Sequence, residues 1–233
     1  MSGRREVRDV EIVGIEPARR PFLAIDRLAV RNHYADGRRS ETYPCDVVSR
    51  RGVDAVTVIV WQRGDDGRVR VGLRENLRPA VWLRRARSAI PFPDDEPEPA
   101  TVIETAAGII EDEDAALPLP AALRIRAAAE CREELGLDVD PAAIEPLGGA
   151  AYPSPGITDE KVFFVAAETD LDAAAPPTGD GSVMEEAGGL VVLDLDEAIA
   201  RCRDGVTDMK TEIALVRLRE RLRRAGGASL GPH

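Results

Sequence analysis

Ala121-Ala122-Leu123-Arg124-Ile125-Arg126-Ala127-Ala128-Ala129-Glu130-Cys131-Arg132-Glu133-Glu134-Leu135-Gly136 is the stretch from which the fold is most directly read. Alanine, leucine, arginine and glutamate dominate it, all strong helix formers, and Gly136 supplies the left-handed cap that ends a helix. The spacing predicts a helix over 121–135. At about 100° per residue, Arg126, Glu130, Glu133 and Glu134 share roughly one quarter of its circumference. Like charges three and four residues apart repel, and Glu133 and Glu134 also meet the negative end of the helix dipole. Each effect is on the order of tenths of a kcal/mol. Relief of that repulsion predicts that Glu134→Gln leaves metal-free stability equal or slightly higher. A divalent cation reverses the sign, because hard carboxylate oxygens clustered at this spacing suit Mg²⁺. A solvated surface face is the other reading of the same three residues.

Upstream of the helix, Leu117 to Pro120 is proline-rich. Arg84 to Ala100 carries Pro91, Pro93, Pro97 and Pro99 among acidic residues, which removes backbone donors and marks a loop or insertion. Further back, Val53 to Trp61 is rich in β-branched residues, and Val69 to Arg74 alternates apolar with polar. Gly64-Asp65-Asp66-Gly67 between them is a turn, so the pair reads as a hairpin. Residues 6–48 hold short apolar runs, Phe22 to Ile25 and Leu28 to Val30, with a turn at Asp36-Gly37, and read as further hairpin material. Downstream, Val162 to Ala166 and Leu190 to Leu193 are strands, Asp194 to Cys202 and Lys210 to Arg224 are helices, and Gly226 to His233 is a frayed tail. Interspersed strands and helices predict an α+β domain, a sheet flanked by helices.

The whole chain of 233 residues carries 31 basic and 42 acidic side chains, a formal net charge of −11. That balance repels polyanions and excludes duplex DNA as a general partner. Hydrophobic residues at 44% suffice for a core, while 2 Trp, 3 Tyr and 4 Phe make it mostly aliphatic. Cys45, Cys131 and Cys202 are odd in number and widely spaced, so neither a disulfide framework nor a zinc site is indicated. The charged start of the chain lacks a signal-peptide core, and no apolar run approaches the roughly 18 residues that span a bilayer. The expectation is a cytoplasmic protein with no membrane and no nucleic-acid partner.

Glu104-Thr105-Ala106-Ala107-Gly108-Ile109-Ile110-Glu111, followed by Glu130-Cys131-Arg132-Glu133-Glu134-Leu135-Gly136-Leu137, resembles the Nudix hydrolase box, G-x5-E-x7-R-E-U-x-E-E-x-G-U, with U a bulky apolar residue. The chain departs from it in two ways. The first box glutamate falls on Asp114, or on Glu113 with a one-residue slip, and about seven extra residues precede the helix; the box arginine position is Ala129. Tyr152-Pro153-Ser154-Pro155-Gly156-Ile157-Thr158-Asp159-Glu160 is similar to the S-P-G-x-x-x-E loop of the ADP-ribose and ADP-sugar pyrophosphatase branch. Glu104 to Gly108 is similar to its E-x-P-A-G turn, and Gly205 to Thr211 to its G-x-x-x-D-x-K-T.

The resemblance implies a Nudix-type α/β/α sandwich with a mixed sheet and an N-terminal β subregion. Its parts would be N-terminal strands over 1–48 that dimerise, a hydrolase domain over 49–224 and a flexible tail over 225–233. It implies Mg²⁺, with Mn²⁺ as a substitute, held by Glu130, Glu134 and the Ala107 carbonyl. Glu133 would be a further ligand or lie behind one. Glu160 would orient or deprotonate the attacking water, with Glu133, then Glu185 or Glu186, next in line for that role. Arg78 would grip phosphate or ribose, and Glu104 would fix the turn or touch substrate. Asp54, Lys210, Tyr43 and Tyr152 receive no role. Arg126, one turn before Glu130, falls between Glu130 and Glu133 on the helical wheel; it reads either as the surrogate for the missing box arginine or as an exposed arginine in a screened ion pair. The implied activity is Mg²⁺-dependent hydrolysis of a nucleoside diphosphate linked to a sugar, such as ADP-ribose, to a nucleoside monophosphate and a sugar phosphate, by a homodimer. Two rivals stand beside it: a Nudix-fold nucleotide-binding or regulatory protein without turnover, to which Ala129 and the lengthened box point, and an acidic domain of another kind that binds no nucleotide.

Overall fold

Alternation along one strand places both layers of the core. β3 (Ala55–Arg63) sends Val56, Val58 and Val60 to one side of the sheet and Ala55, Ile59 and Trp61 to the other, and each set joins its own apolar cluster. In this computed structural model, residues 22–86, 100–179, 188–205 and 207–227 are described. β3 and β4 (Val69–Leu77) form the expected hairpin, with Arg63 opposite Val69 and Gly67 at φ +78° in the turn. On its other edge β3 pairs in parallel with β8 (Val162–Glu168), from Ala55 opposite Val162 to Trp61 opposite Glu168.

The hairpin does not stay zipped. Past Val60 and Gly72 the two strands diverge, and one continuous segment fills the fork. Its first half, β5 (Thr101–Glu104), pairs with the last residues of β4, and its second half, β6 (Ala106–Ile109), pairs with the first residues of β3. Thr105 sits at the crossing, buried, where its Oγ1 lies 2.7 Å from Thr57 Oγ1 and its N–H donates to Thr211 Oγ1 at 2.9 Å. Neither β5 nor β6 stands out in the sequence. β7 (Glu145–Pro146) extends the sheet beyond β8, and β9 (Gly189–Asp194) lies antiparallel on the outer edge of β4, giving a mixed sheet of seven strands.

Helices cover both faces. α2 (Leu119–Leu135) lays Ala127, Ala128, Cys131 and Leu135 on the valine face of β3. It starts two residues before the expected position, because prolines are tolerated in a first turn whose N–H groups have no helical partner. Gly136, at φ +70°, closes it as expected, with the Leu137 N–H donating back to the Cys131 carbonyl. α3 (Leu195–Asp204), capped by the Asp194 carboxylate on the Asp196 N–H, and α4 (Met209–Gly227) cover the opposite face. The helix α4 runs three residues into the segment read as tail. A short helix, α1 (Pro79–Trp82), precedes the stretch read as loop, and a 3₁₀ turn (Leu83–Ala86) runs into its start. Most of the rest of that stretch, 87–99, lies outside the described residues, as do Glu185, Glu186 and residues 1–21.

The N-terminal strands β1 (Ala24–Val30) and β2 (Tyr43–Ser49) pair antiparallel as a separate two-stranded ribbon with Gly37 at φ +83° in the connecting loop. Phe22, Ile25 and Leu28 are exposed on it. The ribbon meets the body where the Val48 N–H donates to the Ile157 carbonyl at 2.7 Å. No helix among the described residues is long and apolar enough to cross a membrane.

Candidate active site

The forked end of the sheet opens into a cleft of about 470 Å³ whose polar lining comes mainly from Arg50, Arg78, Tyr152, Glu160, Asp208 and Lys210. The strand β6 forms one wall through Ala107, Gly108 and Ile109. Ladder parity decides what that strand presents. Because the Ile110 N–H donates to the Asp54 carbonyl, Ala107 opposite Thr57 falls at a non-hydrogen-bonded pair, so its N–H and its carbonyl both turn away from β3.

α2 answers that edge with two carboxylates. Glu134 Oε2 accepts the Ala107 N–H at 3.0 Å, and its Oε1 lies 3.7 Å from Nη1 of Arg74, which is 3% exposed. Glu130, one turn earlier, is buried against Gly108, where any Cβ would overlap its carboxylate. Glu133 is half-buried on the same helix, and no hydrogen bond or ion pair among the described residues engages its carboxylate. Two of the three expected carboxylates therefore meet at β6. Among the described residues no three carboxylate, imidazole or thiol side chains converge on one point, so a cation here would rest on two carboxylates, a backbone carbonyl and water. Between the two glutamates, Cys131 is fully buried, and burial first, then Glu130 and Glu134, pushes its thiol up to about 12.

Behind the cleft lining, buried Glu104 on β5 organises two cations. Arg78 grips it with both prongs, Nε to Oε1 at 2.6 Å and Nη2 to Oε2 at 2.8 Å, and Lys210 Nζ reaches the same Oε2 at 2.8 Å. Asp208 holds Lys210 at 2.8 Å and accepts from the N–H and hydroxyl of Thr211 in the first turn of α4. Burial alone would raise the carboxyl of Glu104, but Arg78 and Lys210 outweigh it and hold the group below the usual range. Burial would likewise lower Lys210, and Asp208 and Glu104 reverse that, keeping the ammonium above its ordinary value. Glu104 is 3% exposed with both oxygens engaged, so it positions Arg78 and Lys210 and has no face left for a ligand.

Glu160 reaches the cleft from the loop after Ser154-Pro155-Gly156, and Oε1 accepts from Arg50 Nη2 at 2.8 Å. Arg126 gives its guanidinium to Asp114 at 2.9 Å, with Glu111 at 3.5 Å, and the charge of Glu130 acts on it as well. The 3₁₀ turn Asp114–Ala116 folds the lengthened segment back beside α2, and Asp114 also accepts the Glu111 N–H at 2.9 Å. Thus the residue at the first box position and the arginine one turn early pair with each other. Sequence reasoning passed over Arg50, Asp208, Lys210 and Tyr152 as site residues. Lys210 and Asp208 lie within the matched Gly205 to Thr211 segment; Arg50, one arginine among 29, carries no signal of its own. The sequence matches no known protein-family model and no curated protein.

Proposed function

We propose that the chain is a Mg²⁺-dependent pyrophosphohydrolase of the Nudix type, cleaving a nucleoside diphosphate linked to a sugar, of the ADP-ribose or ADP-sugar class, into a nucleoside monophosphate and a sugar phosphate. The observation that carries this reading is the convergence of Glu130 and Glu134 on Ala107 and Gly108, two residues that line the same cleft as Arg78 and Lys210. Carboxylates held against the strand β6 and cations in the lining of the cleft it borders suit a ligand that is itself a polyanion bound with a metal ion. The layering of helices on both faces of a mixed sheet supports the same reading.

The donor set fits the metal: two carboxylates and the Ala107 carbonyl are hard oxygens, and Mg²⁺ retains water at its remaining positions. When bound, Mg²⁺ neutralises the pyrophosphate, polarises a phosphoryl oxygen and lowers the pKa of water. The chain does the rest. Arg78, its fork partly committed to Glu104, and Lys210 offer their remaining N–H groups to phosphate oxygens. Glu160 orients or deprotonates the attacking water from the opposite loop. Glu134, tied to the Ala107 N–H, keeps the strand edge and the helix in register. The exposed apolar side chains of the N-terminal ribbon suit the implied homodimer.

The binding-protein reading draws on Ala129, where the box arginine is missing. The Arg126–Asp114 pair weakens it, since the lengthened box still closes on itself through one half-buried arginine. Incubation with ADP-ribose and Mg²⁺ separates the two. Hydrolysis releases AMP and ribose 5-phosphate, and EDTA stops it; binding without release of AMP overturns the enzyme.

A further inference from the structure

Three consecutive residues at the end of the N-terminal ribbon each hold the loop that carries Glu160. The Val48 N–H donates to the Ile157 carbonyl at 2.7 Å, Ser49 Oγ donates to Asp159 Oδ2 at 3.0 Å, and Arg50 Nη2 donates to Glu160 Oε1 at 2.8 Å. The backbone bridge between Val48 and Thr158 is parallel, so the two segments run side by side as a splint and the loop it braces. The last tie differs from the first two. Arg50 and Glu160 both line the cleft, and their side chains are only 12% and 28% exposed. Phe22 lies under the Arg50 guanidinium at 5.5 Å, so the arginine is supported from the ribbon side as well.

From this geometry we infer that Arg50 is a positioning residue with two alternative partners: Glu160 in the empty cleft, and a phosphate oxygen once a nucleoside diphosphate enters. The inference rests on the proposed reading of the cleft. In the empty cleft the guanidinium occupies a carboxylate oxygen of Glu160. Anionic oxygen entering the cleft competes for the same forked donor, because guanidinium binds phosphate and carboxylate through the same N–H geometry. The exchange leaves the Glu160 oxygen open to water at the moment the ligand is in place, so Glu160 is held until the ligand releases it. Chemistry and occupancy are thereby linked through one arginine. The same exchange makes Glu160 a competitor of the ligand: part of the binding energy goes to breaking the pair.

A binding cycle on the full chain tests this, read by calorimetry with Mg²⁺ and α,β-methylene ADP-ribose, whose bridging carbon resists hydrolysis. Glu160→Gln frees Arg50 and tightens binding about fivefold, whereas Arg50→Gln weakens it about tenfold. The diagnostic term is the double variant. If Arg50 is the shared partner, Glu160→Gln gains nothing in the Arg50→Gln background; if it tightens binding equally there, the gain is a general loss of repulsion and the exchange is overturned. Kinetics with ADP-ribose give a second arm: Arg50→Gln raises KM about tenfold in the parent, because the arginine meets the phosphate, and Arg50→Lys recovers part of the loss. Circular dichroism of each variant separates misfolding from loss of the contact, and a folded Arg50→Gln with parental KM and affinity overturns the proposal. A parent protein that binds the analogue with a coupled cycle but releases no AMP removes the hydrolase and keeps the exchange. One that hydrolyses ADP-ribose with an additive cycle does the reverse, and absence of binding by the parent overturns both.

Discussion

Gly108 shows how a single side-chain position controls the candidate metal ligands. Its backbone is one any residue adopts, so what it supplies is room: a methyl group would overlap the Glu130 carboxylate. Gly108→Ala should fold and should raise the Mg²⁺ concentration needed for half-maximal activity about tenfold, by analogy with changes that displace ligands at other metal sites. An unchanged Mg²⁺ titration would mean that Glu130 is not a ligand. Glu134→Gln should abolish most activity, and here the structure reverses an expectation. Repulsion at the helix end predicts a metal-free protein of equal or slightly greater stability, but the carboxylate accepts the Ala107 N–H and faces buried Arg74. Losing that charge should lower metal-free stability by about 1 kcal/mol in urea titration, since a hydrogen bond to a charged group is worth more than the exposed repulsion it offsets.

The helix α2 places the Cys131 thiol between two carboxylates and fully inside the protein, which makes it the least reactive of the three cysteines. Iodoacetamide at pH 8 should label Cys45 and Cys202 in the folded protein and reach Cys131 only in denaturant, as peptide mass spectrometry would read directly. Labelling of Cys131 under native conditions would contradict the packing of α2 on β3. The elements legible in the sequence were those with a sustained period: the β3–β4 hairpin, α2 with its glycine cap, β8, β9, α3 and α4. The segment β5–β6 was not, because Ala106-Ala107-Gly108-Ile109 has little strand propensity and is extended only because β3 and α2 bracket it. For the same reason Glu130, Glu133 and Glu134 could be grouped on one helix face from their spacing, but which strand they face could not. Arg126 was read from the wheel alone, and a wheel shows no partner that arrives from a turn twelve residues away. Arg50 acquires meaning only through a contact 110 residues distant.

Over the whole molecule, the ion network around Glu104 ties β5, the Arg78 segment and the first turn of α4 to one buried carboxylate. Because its folded-state pKa lies below that of the unfolded chain, its contribution is present above about pH 4.5 and is lost as pH falls through the folded value. Lys210 has the opposite sign: its contribution is present below about pH 10.5 and is lost as pH rises past its elevated value. Glu104→Gln should therefore cost roughly 3 kcal/mol at pH 7, the scale of breaking a buried ion pair, with the difference from the parent narrowing below pH 4. A constant difference down to pH 2 would mean that the effect is steric.

The wedge of residues 101–109 in the β3–β4 fork also sets an order of assembly. The hairpin closes through a short turn, while the wedge must arrive from more than twenty residues beyond it, and α2, β8 and α4 from farther still. Early in refolding the fork is thus an open seam with two unpaired strand edges. A seam of that kind accepts the 101–109 segment of another molecule as readily as its own, because the ladder and the threonine contacts are identical. Refolding yield of the native protein should fall steeply with protein concentration, with copies exchanged through the 101–109 segment among the products, and should recover when the chain is diluted before denaturant is withdrawn.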